Sequence, residues 1–242
     1  FRPYKPAYDL KSKKSSIVTG RALLQEFMSF VQAYPSASML AEQFDIPGFI
    51  KAQAAEIALG AVDHYVRVAN NYYLYFNPLT DQWIYMVNDF DFVFRDSHDT
   101  SIGLPSWFAA FRDIAGTYAF PSAGKVDWVS RELGSVDPIL WDIVFSEQSN
   151  KEALYSDIKS ILDNHMDWDT VGPKLAARDA LVATAISQTE AGLPDGCGFI
   201  YNAAAINADA GATLCDASDI SIKQFIALRR ETLYQELQEN GL

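Results

Sequence analysis

Two short segments rich in aromatic and β-branched residues constrain the fold of this chain more than any other feature. Residues 72–76 read Tyr-Tyr-Leu-Tyr-Phe, residues 82–87 read Gln-Trp-Ile-Tyr-Met-Val, and Asn-Pro-Leu-Thr-Asp lies between them. Aromatic and β-branched residues favour strands, whereas Asn, Pro and Asp favour turns. The pattern predicts a β-hairpin, which is the only clear strand pair in the sequence.

The other periodic segments predict helices. An apolar face recurs between Ser16 and Tyr34, and a second helix is expected from Asp45, because an aspartate at this position can accept hydrogen bonds from the free amides of the first turn. Helical spacing also covers residues 138–146, 151–164, 168–186 and 222–237, with Asn150 and Asp167 as expected N-caps and Asn240-Gly241 as the last terminator. The expected fold is therefore mainly α with a small β-hairpin, an α+β arrangement.

Length and charge limit the classes of function. The chain has 242 residues, 49% of them apolar, which suits one large domain or one lobe of a larger enzyme. Its formal net charge of -12 disfavours general binding to nucleic acid or anionic membranes. No apolar run is long enough to predict a transmembrane segment. An anionic ligand would have to be held locally, by a metal ion, backbone amides or a few cations.

Cys197 and Cys215 are the only cysteines. A disulfide between them is the favoured interpretation, and it would indicate an oxidising compartment. Two free thiols are the alternative that the spacing leaves open.

Acidic and amide side chains lie on both sides of the predicted hairpin. Asp63, Asn70 and Asn71 precede it, and Asp89 and Asp91 follow it. Phosphoryl transfer needs a carboxylate that orients the attacking hydroxyl and oxygen ligands that hold Mg²⁺ against phosphates. On a strand-like segment Asp89 and Asp91 would point to one face. The alternative is structural: a helix cap at Asp63, turn residues at Asn70 and Asn71, and a solvated edge at the aspartate pair.

Three other features have simpler interpretations. His64 is expected to be a hydrogen-bonding surface residue and not a catalytic one. The aromatic residues 72–76 are expected to form the core of the hairpin. Arg229 and Arg230 would bind nearby carboxylates or lie on the surface.

The polar residues around the hairpin carry a family resemblance. Residues 71–75 (N-Y-Y-L-Y), Asp63 upstream and residues 89–91 (D-F-D) downstream resemble the hallmark of the spore coat protein H (CotH) kinase family, an aspartate followed by N-Y-Y-L-Y and W-D-x-D. Asn88 stands where that family usually has tryptophan. The segments 8–11 (Y-D-L-K), 44–49 (F-D-I-P-G-F) and 225–230 (F-I-A-L-R-R) are similar to further motifs of the family, in the same order.

The resemblance implies the C-terminal lobe of an atypical protein kinase. Such an enzyme would transfer phosphate from ATP, with Mg²⁺ or Mn²⁺, to Ser or Thr of secreted or surface proteins. By matched position, Asp63 would be the catalytic aspartate, and Asn71 and Asp89 would be the cofactor-binding residues. Asp89 would bind the metal, Asn71 would bind the metal or order the loop, and Asp91 would support Asp89 or share its ion. The resemblance also implies an extracellular or cell-surface location.

The resemblance leaves a second function open. The glycine-rich phosphate loop and strand lysine of the kinase N-terminal lobe are not found, so residues 1–242 are expected to be a single C-lobe whose parent protein carries the missing part. CotH-like proteins also include surface adhesins or invasins that bind host receptors. A binding module with a residual kinase-like fold is therefore the alternative function. A scaffold without chemistry is a third interpretation, in which residues 1–242 alone are inactive because the lobe that binds ATP is missing.

Overall fold

The computed structural model describes residues 10–61, 64–68, 70–90, 93–94, 138–190 and 222–242. Within these ranges a short 3-10 turn, Lys14–Ser16, leads into a mainly helical fold with one two-stranded antiparallel sheet. The elements in chain order are α1 (Ile17–Gln32), α2 (Ala37–Leu40), α3 (Ile46–Leu59), α4 (Tyr65–Val68), β1 (Tyr72–Asn77), β2 (Gln82–Val87), α5 (Ile139–Val144), α6 (Gln148–Asn164), α7 (Trp168–Glu190) and α8 (Ile222–Glu239). The predicted α+β arrangement is confirmed. The cysteine pair lies outside the described residues.

The predicted hairpin is present, with Tyr72 opposite Val87 and Asn77 opposite Gln82. The turn is closed by backbone hydrogen bonds to the carbonyl of Asn77, and Asp81 adopts a left-handed conformation with φ 57°. The two faces differ. Trp83 and Tyr85 of β2 are buried, whereas Tyr73 and Tyr75 of β1 are 39% and 48% exposed. The expectation that the whole aromatic run forms core is wrong for these two tyrosines, because alternate strand residues point to opposite faces.

Helix α3 lies at the centre of the fold, between α6 and the hairpin. It begins as predicted, because the Asp45 carboxylate accepts a hydrogen bond from the Gly48 amide at 3.1 Å. Backbone bonds tie the same segment to β2: the Asp45 amide donates to the Trp83 carbonyl, and the Trp83 amide donates to the Gln43 carbonyl. The first turn of α3 is therefore fixed to the edge of the sheet.

One expected cap is wrong. Helix α6 begins at Gln148, before Asn150, and Asn150 uses its side-chain amide to donate to the carbonyl of Val144 at the end of α5. Asparagine satisfies the free carbonyl of the preceding helix here instead of the amides of its own. Asp167 directly precedes α7, as predicted.

The last helix is attached to the rest of the fold by its two arginines. The Arg229 guanidinium is buried and donates through Nε and Nη2 to the carbonyl of Ile57 near the end of α3. The Arg230 guanidinium donates to the carbonyls of Leu162 and Met166 at the end of α6. Burial lowers the pKa of Arg229 to about 9, partly opposed by the charge of Glu236, so the group stays charged at neutral pH.

These bonds add carbonyl partners to the expectation for the arginine pair. Both side chains satisfy carbonyls at helix C-termini, where the dipole favours a cation. Arg229 is buried, so the surface position considered for it is wrong. The terminator of α8 is as predicted, since Gly241 has φ 83° and the Leu242 amide donates back to the Leu237 carbonyl.

Among the described residues, no helix combines the length and apolar character needed to cross a membrane.

Candidate functional site

The open end of the hairpin brings the two flanking polar segments together. The Asn88 amide donates to the Asn71 carbonyl at 3.0 Å, which extends the pairing one step beyond Tyr72 and Val87. Asp89 follows Asn88 directly, so Asn71 and Asp89 lie at the same end of the sheet. The pairing of the two strands therefore places these two residues at one end of the hairpin.

Asn71 and Asp89 both leave the sheet through a left-handed conformation. Their φ angles are 53° and 60°. Asn and Asp tolerate this region better than other residues with a side chain, although it is less favourable than extended backbone. Such conformations are often found at functional sites, where the surrounding structure maintains them.

The conformation of Asp89 corrects the strand-like backbone expected for this residue. Strand β2 ends at Val87, and the positive φ of Asp89 turns the chain out of the extended conformation. Asp89 is therefore not extended, as the strand-like segment predicted for it would require. Asp91 lies outside the described residues. The Asp89 side chain itself is exposed, so its carboxylate is accessible to a cation from solvent.

His64 is buried, contrary to the expectation of a surface residue. It is 3% exposed, and its Nε2 lies 2.9 Å from the Asn88 carbonyl oxygen and 3.0 Å from the Asp89 carbonyl oxygen. Its ring also contacts the edge of the Phe90 ring, with 4.9 Å between centroids. His64 thus joins the segment before the hairpin to the segment after it.

A buried carboxyl group lies behind this contact. Glu56 of α3 is 5% exposed, and its Oε1 accepts a hydrogen bond from the Tyr85 hydroxyl at 2.8 Å. Burial raises the pKa of Glu56, and this effect is opposed by the hydrogen bond from Tyr85 and by the charge that His64 carries when protonated. The core behind the site therefore contains the Glu56 carboxyl group as well as aromatic rings, since Tyr65 and Tyr72 pack against Tyr85.

The structure describes two of the four predicted site residues. Asn71 and Asp89 are brought to one end of the hairpin, whereas Asp63 and Asp91 lie outside the described residues.

His64 and Glu56 are parts of the site that were not predicted. A sequence signal for Glu56 does exist, because it follows Phe49 and Ala52 at helical spacing, and a glutamate on such an apolar face is expected to need a buried partner. The position of His64 directly after Asp63 is a weaker signal.

The chemistry of the donors at the open end of the hairpin suits a divalent cation. Asn71 and Asp89 supply an amide and a carboxylate, the hard oxygen ligands that Mg²⁺ prefers. The described residues include no group of three or more His, Cys, Asp or Glu side chains placed to hold a metal ion. Magnesium commonly uses only one or two protein carboxylates and takes its other ligands from phosphates and water, so this small donor set fits a metal–nucleotide better than a structural metal.

One comparison with known proteins gives a match. A family model described as CotH kinase protein matches residues 3–233, which include every segment that carries the resemblance. No curated protein and no solved structure gives a match. On the extent of this match, nearly the whole chain, the protein belongs to the CotH kinase family.

Proposed function

We propose that this protein transfers the γ-phosphoryl group of ATP to Ser or Thr hydroxyls of secreted or cell-surface proteins, with Mg²⁺ or Mn²⁺. The described helices and hairpin would form the C-lobe of a protein-kinase-like fold. Membership of the CotH kinase family supports a kinase-like activity. The substrate class and the extracellular location are our extension of it, and the cysteine pair Cys197 and Cys215 is compatible with an oxidising compartment.

The observation that carries the proposal is the meeting of the two polar segments at the open end of the hairpin. The Asn71–Asn88 backbone bond places Asn71 beside the segment that carries Asp89, and His64, the residue after Asp63, is bonded to the same segment. Phosphoryl transfer depends mainly on positioning and on electrostatic stabilisation, so an arrangement that gathers acidic and amide groups at one edge is what the reaction requires.

Each residue has a distinct role in this proposal. Asp63 orients the acceptor hydroxyl and accepts its proton as the new O–P bond forms and the bond to the ADP oxygen breaks. Asn71, Asp89 and Asp91 hold the cation. A bound divalent cation supplies positive charge against the phosphate oxygens. The carboxylate of Asp89 can face that cation because its backbone turns out of the sheet into solvent.

The proposal is tested by phosphate transfer from radiolabelled ATP to Ser- and Thr-containing proteins, in the presence of Mn²⁺. Asp63→Asn and Asp89→Asn are expected to lower the rate at least about 100-fold, because each removes a charge used in the transition state. Asp81→Asn is the matched control, since Asp81 has the same left-handed conformation at the opposite, exposed end of the same hairpin.

The Asp81→Asn protein is expected to transfer phosphate like the unmodified protein. If neither Asp89→Asn nor Asp81→Asn changed the rate of phosphate transfer, the open end of the hairpin would not be the site of transfer.

A further inference from the structure

We infer that His64 is a positioning residue for the cation site, which holds the backbone of Asp89 through a hydrogen bond shared between two carbonyls. This inference rests on the proposed function, because it concerns how Asp89 is presented to the metal. His64 is not proposed to touch the substrate or the cation. Its action is on the peptide groups that carry the ligand.

The contacts fix the form of the His64 ring. Carbonyl oxygens only accept hydrogen bonds, and Nε2 lies within 3.0 Å of those of Asn88 and Asp89, so Nε2 must carry a hydrogen. Nδ1 is buried and has no hydrogen-bond partner in the described part of the chain. A hydrogen on Nε2 therefore serves both carbonyls at once.

The Asn88 peptide is held from two directions. Its amide donates to Asn71 across the hairpin, and its carbonyl accepts from His64. The next carbonyl, that of Asp89, accepts from the same His64 nitrogen. These bonds span the residue whose φ is 60°, so they hold the left-handed turn that directs the carboxylate outward.

His64 also contacts the residue that follows Asp89, through the ring of Phe90. Phe90 is 36% exposed, and its ring meets His64 edge to face. An apolar residue at position 64 could preserve much of this packing but could not donate to the carbonyls. A positioning role of His64 therefore depends on its hydrogen bonds, whereas a role in core packing would depend on the bulk of its ring. Metal ligands need their support to hold them within about 0.5 Å of the productive geometry.

The test uses Mn²⁺ alone as the probe, measured by electron paramagnetic resonance on the folded protein. His64→Leu keeps an apolar side chain but removes the donor, and we expect Mn²⁺ affinity to fall about 10- to 100-fold, the usual effect of losing a group that supports a metal ligand. His64→Gln retains an N–H donor at a similar distance from the backbone, so it is expected to recover most of that affinity.

Ile158→Ala is the control for general destabilisation. It removes buried apolar volume from α6 and leaves the contacts of His64 with Asn88 and Asp89 in place. It is expected to lower stability without changing Mn²⁺ affinity. Equal losses of Mn²⁺ affinity in Ile158→Ala and His64→Leu would overturn the positioning role.

The remaining outcomes separate this inference from the function on which it rests. If Asp89→Asn abolishes Mn²⁺ binding and His64→Leu leaves it unchanged, the inference about His64 is overturned but the proposed metal site is not. An unmodified protein that binds no Mn²⁺ overturns the proposed metal site and the inference together.

If His64→Leu does not fold, nitrogen-15 NMR of the histidine rings in the unmodified protein decides the question. A hydrogen on Nε2 of His64 whose signal shifts when Mg²⁺ is added supports the inference. A ring without that hydrogen, or a signal that Mg²⁺ does not shift, overturns it.

Discussion

Glu56 places an ionisable carboxyl group in the core directly behind the candidate site. Burial favours the protonated form and so raises its pKa in the folded state above the ordinary value. Between pH 4.5 and the folded-state pKa, the Glu56 carboxyl is ionised in the unfolded chain and still protonated in the folded protein. The free energy of unfolding contributed by Glu56 therefore falls as pH rises from there to the folded-state pKa.

Replacing Glu56 with Gln tests this direction. Glutamine keeps an oxygen that can accept from the Tyr85 hydroxyl but cannot ionise. The stability of Glu56→Gln relative to the unmodified protein is expected to increase as pH rises from 4.5 to neutrality. Urea unfolding at both ends of this range measures the difference. A difference that does not change with pH would contradict the assignment of a raised pKa to Glu56.

The hydrogen bond from Tyr85 makes a separate contribution at the same residue. Tyr85→Phe leaves the buried carboxyl of Glu56 without this donor, which is expected to lower the free energy of unfolding by about 1–3 kcal/mol. Tyr75→Phe is the matched control, because its side chain is 48% exposed on the other face of the hairpin. Equal effects of the two changes on the urea midpoint would count against a stabilising role for the buried bond.

Residue-scale features of this kind are the part of the site that is least predictable from sequence. Asn71 and Asp89 can be identified because amides and carboxylates flank a recognisable hairpin. The burial of His64 and of Glu56 depends on contacts with residues far along the chain, such as Asn88 and Tyr85. Local sequence patterns do not encode such contacts, so the surface position expected for His64 is wrong.

At the scale of elements, the end of α3 is the junction between the site and the last helix. Gly60 ends α3 in a left-handed conformation with φ 66°, and a Cβ atom there would lie 2.9 Å from Cζ of Phe225. The Phe94 amide donates to the Leu59 carbonyl at the same point, and the Phe94 ring packs against that of Phe225. The chain after Asp89 and helix α8 therefore both depend on how α3 ends.

Gly60→Ala is expected to destabilise the protein. The left-handed conformation costs a residue with a Cβ atom about 1–2 kcal/mol, and the displacement of Phe225 adds to this. Gly241→Ala is the control for the backbone term alone, because Gly241 has φ 83° and no atom within 4 Å of the added Cβ. Thermal unfolding of both variants measures the difference. If Gly241→Ala lowered stability as much as Gly60→Ala, the close packing of Phe225 would have no energetic role.

The arginine pair gives a second prediction at this scale. Arg229→Met removes a buried charge-assisted donor from the Ile57 carbonyl and is expected to lower the free energy of unfolding by about 2–3 kcal/mol. Arg230→Met is expected to have a smaller effect, because Arg230 is only partly buried. Urea unfolding that ranks Arg230→Met as the more damaging change would contradict this attachment of α8.

At the scale of the whole molecule, the hairpin and the long helices are predictable from sequence, whereas the short helices α2 and α4 and the contacts between elements are not. The hairpin and the beginning of α3 follow from local chemistry: aromatic strands around a turn, and an aspartate cap at Asp45. The early start of α6 and the use of Asn150 on the preceding helix depend on how α5 and α6 meet. For the same reason, the family resemblance indicates the order of the site residues but not the turn at Asp89.

A metal–nucleotide at the open end of the hairpin is the central requirement of the proposed function, and calorimetric titration of the full-length protein with ATP tests it most directly. We predict ATP binding that depends on Mg²⁺, that weakens at least about 10-fold in Asp89→Asn and that is unchanged in Asp81→Asn. ATP binding of equal strength in the two variants, or equal with and without Mg²⁺, would contradict the central claim.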